Sequence, residues 1–153
     1  MAMLLAEFFR DKPSRDWRVM ATDISTRILA KAEEAVYPGD RIKLPEQQWL
    51  RAYFQKGVGN WEGCFRIKPE LRERVTLRHL NLFEWPYPFT EKFEVIFCRN
   101  VMIYFDRQTQ EQLVPRLAAQ LVPGGYLMVG HSESLVGIAH HLKSVSPSVY
   151  QKT

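Results

Sequence analysis

The sequence predicts an α/β protein built around a mostly parallel sheet, and three observations carry that expectation. Short apolar strands alternate with segments of helical periodicity along the 153 residues. Several of these strands stop abruptly at polar residues. One run, FEVIFC at residues 93–98, is nearly all apolar and rich in aromatic and β-branched side chains, the pattern of a strand covered on both faces. It ends at Arg99-Asn100, which places a cation and an amide at the carboxyl edge of the sheet, where open α/β folds bind ligands. The competing reading is a polar turn without chemistry.

Composition narrows the class. A hydrophobic content of 46% is enough for one sizeable core, so one domain with a small insertion is expected. The net charge of +4 comes from scattered Lys and Arg without an aromatic ladder, which favours a solvated basic surface over nucleic-acid binding. Cys64 and Cys98 share no short spacing, as in a reduced cytoplasmic protein, and the four histidines form neither HxxxH nor CxxC-type patterns, so no metal is expected. No apolar run approaches the roughly 18 residues of a membrane span, and no signal-peptide pattern precedes the first helix.

Taken in order, residues 2–10 read as a helix with Met3, Leu4, Leu5, Phe8 and Phe9 on an apolar face and Glu7 opposite, followed by a charged turn containing Pro13. Residues 18–22 form a strand with Asp23 at its carboxyl end. Ser25 caps a helix to about Val36, with Ile28, Leu29, Ala32, Ala35 and Val36 in helical spacing and Pro38-Gly39 as its stop. Asp23 either caps or accepts two hydrogen bonds from the vicinal hydroxyls of a ribose. Residues 45–55 carry a second helical pattern. Gly57, Gly59 and Gly63 then introduce strand-like alternation at residues 64–68, the pattern of a small β-rich insertion with glycine turns. These glycines do not follow a strand and open a helix, so they are not a phosphate-binding fingerprint.

Residues 75–80 form the next strand, ending at Asn81-Leu82, and a proline-containing loop leads to residues 93–98. Asp106 caps a helix to about Val122, with Leu113, Val114, Leu117, Ala118 and Leu121 inward and Pro115 as a kink. Pro123-Gly124-Gly125 is read as its end. Residues 126–130 form an apolar strand closing on His131-Ser132-Glu133, and residues 142–145 and 148–151 read as a terminal hairpin. Polar residues thus recur at four strand ends, Asp23, Asn81, Arg99-Asn100 and 131–133, which describes a nucleotide-type cleft.

ATDIS at residues 21–25, the GxGxxxG turn at 57–63, LNL at 80–82, FCRNVMIYFD at 97–106, PGGYL at 123–127 and GHSE at 130–133 together resemble the bacterial chemotaxis receptor glutamate O-methyltransferases (CheR-type). FCRNVMIYFD with GHSE is the specific part. The resemblance implies an S-adenosylmethionine-dependent methyltransferase (Rossmann-like) sheet of order 3-2-1-4-5-7-6. Residues 1–44 and 69–153 would form this α/β domain, and residues 45–68 an inserted antiparallel β-subdomain with its leading helix. It also implies that Asp23 holds the ribose, Asn81 and Leu82 meet the adenine, and Arg99 and Asn100 lie near the homocysteine part. Tyr104 would point at the transferred methyl, with Arg99 assisting catalysis, and S-adenosylhomocysteine would be the product.

In such enzymes the first strand and its glycine-rich loop precede the helix that here begins at Met1, so the resemblance implies a chain lacking that strand and inactive by itself. Its two exposed inner strand edges are then expected to pair directly or to recruit another chain, giving a dimer. The implied partners are chemoreceptor cytoplasmic domains. An alternative function is a non-catalytic module that binds a receptor C-terminal tail peptide through the β-subdomain at Gly57, Gly59 and Gly63.

Overall fold

The computed structural model describes residues 1–12 and 14–153, so the Pro13 of the expected charged turn lies outside the described residues. The chain divides into two compact units, Met1–Asn81 and Leu82–Thr153.

The first unit contains α1 (Ala2–Phe8), β1 (Val19–Asp23), α2 (Thr26–Glu34), β2 (Val36–Pro38), α3 (Gln48–Tyr53), β3 (Phe54–Lys56), β4 (Cys64–Ile67), α4 (Pro69–Arg72) and β5 (Val75–His79). Strands β1 and β5 pair in parallel from Val19↔Val75 to Asp23↔His79, while β2, β4 and β3 form a separate antiparallel sheet in that order. The Ser25 side chain accepts from the Ile28 amide at 3.4 Å and starts α2 as expected.

The helix stops earlier than its periodicity indicates. Ala35 turns left-handed at φ 51°, and residues 36–38 become a strand instead of the last helical turn. Tertiary partners override propensity here. Arg66 and Arg72 donate to the carbonyls of Glu34 and Glu33, and the Ala35 carbonyl accepts from the Ile67 amide, so the helix end is satisfied from β4 and α4. On α1, Leu4 and Phe8 are exposed rather than inward, and Glu7 faces the protein, accepting from Tyr53 and Arg10.

The second unit contains β6 (Phe93–Cys98), α5 (Arg107–Ala119), β7 (Leu121–Val129), β8 (Leu142–Ser146) and β9 (Val149–Lys152). Its sheet runs β6-β7-β9-β8, with β6 and β7 parallel and the remaining pairs antiparallel. This is the order 4-5-7-6 of the expected sheet, and β1-β5 reproduces the order 2-3. Leu113 and Val114 of α5, Leu121, Leu127 and Val129 of β7, and Leu135 are the most deeply buried side chains.

Two expectations change in this unit. Pro123-Gly124-Gly125 does not end the helix, because α5 has already stopped at Ala119. The three residues instead form an irregularity inside β7, across which the β6 register shifts from Phe93↔Leu121 to Val95↔Tyr126. Gly124 takes φ 78° there, and a side chain on Gly125 would meet the Glu94 carbonyl at 3.0 Å. Strand β6 is also not covered on both faces. Val95 and Phe97 are 40% and 47% exposed on one side while Cys98 is buried on the other, and the helix that packs on this sheet, α5, lies against β7.

Leu127 has no exposed surface at the centre of this sheet. Leu127→Ala should therefore cost about 2–5 kcal/mol in a urea titration followed by circular dichroism.

Candidate functional site

In the first unit, Asp23 is the last residue of β1, opposite His79, and its main-chain carbonyl accepts from the Leu80 amide at 3.1 Å. Asn81 is the next residue, so the two predicted positions sit at the carboxyl ends of neighbouring parallel strands. The Asp23 carboxylate accepts from the Ser25 amide at 2.7 Å, the local bond of a polar strand-to-helix turn. A carboxylate has about four acceptor positions, so this bond leaves capacity for a diol. Gly57, Gly59 and Gly63 belong to the turn between β3 and β4, where the Gly57 amide donates to the Cys64 carbonyl at 2.8 Å.

In the second unit, Leu82 opens the segment leading to β6, and its carbonyl accepts from the Tyr87 hydroxyl at 2.8 Å. Arg99, Asn100 and Tyr104 share the loop after β6. Asn100 takes φ 59°, in the left-handed region that asparagine visits more readily than other residues with a side chain. Residues Met102–Tyr104 then make a single 3-10 turn.

What holds this loop is Glu133, which carried no assigned role in the sequence. The residue is 7% exposed. One carboxylate oxygen accepts from the Val101 and Ile103 amides at 2.9 and 3.2 Å, and the other from Asn100 and Gly130 at 2.9 and 2.5 Å. Burial pushes its pKa up, but the amides of Gly130, Asn100, Met102 and Ile103 outweigh burial and hold it below the usual carboxylate range. Glu133 is therefore an anion. The nearby Cys98 thiol is pushed up to about 11, first by burial and then by that negative charge, and stays protonated.

Gly130 makes the close approach possible. A Cβ there would lie 2.6 Å from both the Asn100 Oδ1 and the Glu133 Oε2. Gln110 of α5 supplies the opposite polarity, its side-chain amide donating to the Met102 and Phe105 carbonyls at 2.9 and 3.1 Å. GHSE marked residue 133 as a strand-end position, whereas Gln110 carried no signal beyond helical polarity.

A cleft of about 210 Å³ lies beside this loop, lined by Met102, Ile103, Gln110, Ser132, Glu133 and Ser134. The larger cleft, about 390 Å³ in the first unit, is lined by residues such as Trp17, Tyr53 and Arg74 and includes none of the predicted site residues. Tyr104 projects from the loop with 80% of its surface exposed. Among the described residues no group of His, Cys, Asp or Glu is arranged to hold a metal, and no helix is long and apolar enough to cross a membrane.

The family model for the CheR methyltransferase, SAM binding domain, matches residues 1–151. The chain belongs to that family. It is 39% identical over 150 residues to a chemotaxis protein methyltransferase of Salmonella typhimurium and equally to one of Escherichia coli, in each case covering 98% of this chain and 52% of the relative. A chemotaxis protein methyltransferase of Borreliella burgdorferi is 36% identical over 154 residues, covering 99% of this chain and 53% of that protein. The chain thus spans about half the length of these curated relatives. S-adenosylmethionine is the cofactor expected of a CheR-family domain.

Because the folded pKa of Glu133 is depressed, its contribution to stability is complete above the unfolded value of ~4.3 and is lost as pH falls through the folded value. The urea midpoint should therefore drop on acidification below about pH 4.3. Glu133→Gln should cost about 1–3 kcal/mol at neutral pH and flatten that acid limb, and an unchanged neutral midpoint would contradict the network.

Proposed function

We propose that the protein carrying this chain transfers a methyl group from S-adenosylmethionine to glutamate side chains of chemoreceptor cytoplasmic domains, forming methyl esters. The observation that carries this reading is the family match across residues 1–151, joined by relatives named for methyl transfer in chemotaxis. The two free cysteines, one of them buried, agree with a reduced, cytoplasmic setting.

The residues present fit the cofactor by their chemistry. Asp23 offers a carboxylate to the ribose hydroxyls, and Asn81 follows it on the neighbouring strand end, suited to the adenine edge. In the second unit, Leu82 offers an apolar contact for the adenine, while Arg99 and Asn100 stand at the end of β6, suited to the charged amino-acid part. S-adenosylmethionine, when bound, supplies a methyl group activated by its sulfonium.

The acceptor glutamate is ionised at neutral pH, since a free side chain titrates near ~4.3, and needs no general base. This chain's task is alignment. Exposed Arg99 attracts and orients the incoming carboxylate, while the Tyr104 hydroxyl donates to a reacting oxygen and fixes its direction of approach. Partial removal of water from the carboxylate raises its nucleophilicity.

A second reading, a non-catalytic module for a receptor tail peptide, draws support from the small sheet. Its order leaves β2 and β3 as edges, and Val58 and Trp61 are exposed in the turn of Gly57, Gly59 and Gly63. In that reading the insertion of residues 45–68, led by α3, docks the receptor tail and the chain transfers nothing itself. Incubation with tritiated S-adenosylmethionine and a chemoreceptor cytoplasmic domain tests the first reading, and fluorescence anisotropy of a labelled tail peptide tests the second. Peptide binding without base-labile tritium on the receptor would sink the enzymatic reading.

Asp23→Ala should weaken S-adenosylhomocysteine binding by about 1–3 kcal/mol in isothermal titration, because the ribose loses a charged acceptor. Tyr104→Phe should leave that affinity nearly intact and lower kcat, and equal losses in both quantities would count against the role given to the phenol.

A further inference from the structure

We infer that Glu133 is the positioning residue of the site, acting through the backbone of residues 100–103 to set where Tyr104 stands, with Gln110 as its counterpart. This rests on the methyl-transfer reading of Tyr104 above and adds to it the device that aims the phenol. With four-fifths of its surface exposed, the Tyr104 side chain is not located by packing, so its position follows from the loop beneath it.

The backbone accounting of that loop leads to Glu133. The Tyr104 and Phe105 amides close the 3-10 turn on the Val101 and Met102 carbonyls at 3.2 and 3.1 Å. The amides of Asn100, Val101 and Ile103 have no neighbouring strand and donate instead to the Glu133 carboxylate. The same carboxylate accepts from Gly130 at the end of β7, which ties the loop to the best-buried strand of the sheet. From the other side Gln110 donates to the carbonyls on either side of Ile103 and Tyr104, those of Met102 and Phe105. The Phe105 ring packs edge-on against Phe83 with centroids 4.9 Å apart and closes the loop's far end. One side chain collects donors of the loop and another its acceptors, so the turn that carries Tyr104 is held from both sides.

The test uses the whole protein that carries this chain. Glu133→Gln keeps the shape but turns one acceptor oxygen into an NH₂ group. By hydrogen exchange, the Asn100, Val101 and Ile103 amides should exchange faster by about tenfold or more, while the Leu127 amide speeds up by no more than the loss of global stability measured in urea requires. In the tritium assay kcat should fall by up to about 100-fold, as small misplacements of reacting groups do, with KM for S-adenosylmethionine nearly constant. The decisive comparison is the double variant E133Q/Y104F. If Glu133 acts through Tyr104, the double variant loses no more activity than the worse single variant.

Gln110→Ala leaves the carboxylate untouched and should reproduce a smaller kcat loss, and it decides the matter if E133Q does not fold. Unchanged exchange at the three amides, or losses that multiply in the double variant, would overturn the inference. Absence of methyl transfer in the wild type would overturn the proposed reaction instead, and the exchange rates would still decide whether Glu133 holds the loop.

Discussion

A carboxylate buried as deeply as Glu133 stays charged only where enough donors replace its lost water, and here the donors are main-chain amides from two separate stretches of chain. The bargain is mutual. The loop after β6 has amides that no strand can accept, and the end of β7 has a glycine amide in the same position. An anion between them satisfies both at once. The left-handed Asn100 and the side-chain-free Gly130 both follow from accommodating that one group, whose charge also adds to burial in keeping Cys98 protonated.

Much of the fold was legible because its signals are local. The bounds of β6 match the apolar run, Ser25 and Asp106 cap the helices they precede, and the terminal hairpin forms from residues close to those its alternation indicates. The misreadings have a common physical origin in partners distant along the chain. The early end of α2 depends on Arg66 and Arg72, which no window around residue 35 contains. Proline and two glycines read equally well as a helix stop or as a strand irregularity, and only the pairing of β7 with β6 selects the second. The exposed side of β6 likewise depends on what packs against it, not on its own residues.

The site shows the same division. Strand-end residues were visible as abrupt changes from apolar to polar, so the positions of Asp23, Asn81 and Arg99-Asn100 were readable in outline. The function of Glu133 was not, because its donors come from residues 100–103 and from residue 130, some thirty positions apart in sequence and adjacent only in space. Gln110 was hidden for the opposite reason. It lies close in sequence to its partners, but a glutamine in the first turns of a helix gives no hint that it faces a loop and not solvent.

The sheet order of the second unit also bears on how the chain becomes structured. β9 follows β8 in sequence yet lies between β7 and β8 in the sheet, pairing with both. On the ribosome, β6, α5 and β7 can associate as they emerge, but β8 has no edge to join until residues 149–152 have been made. Closure of this sheet therefore waits for the last of its strands to be made, and until then the free side of β7 is an open strand edge within reach of other chains.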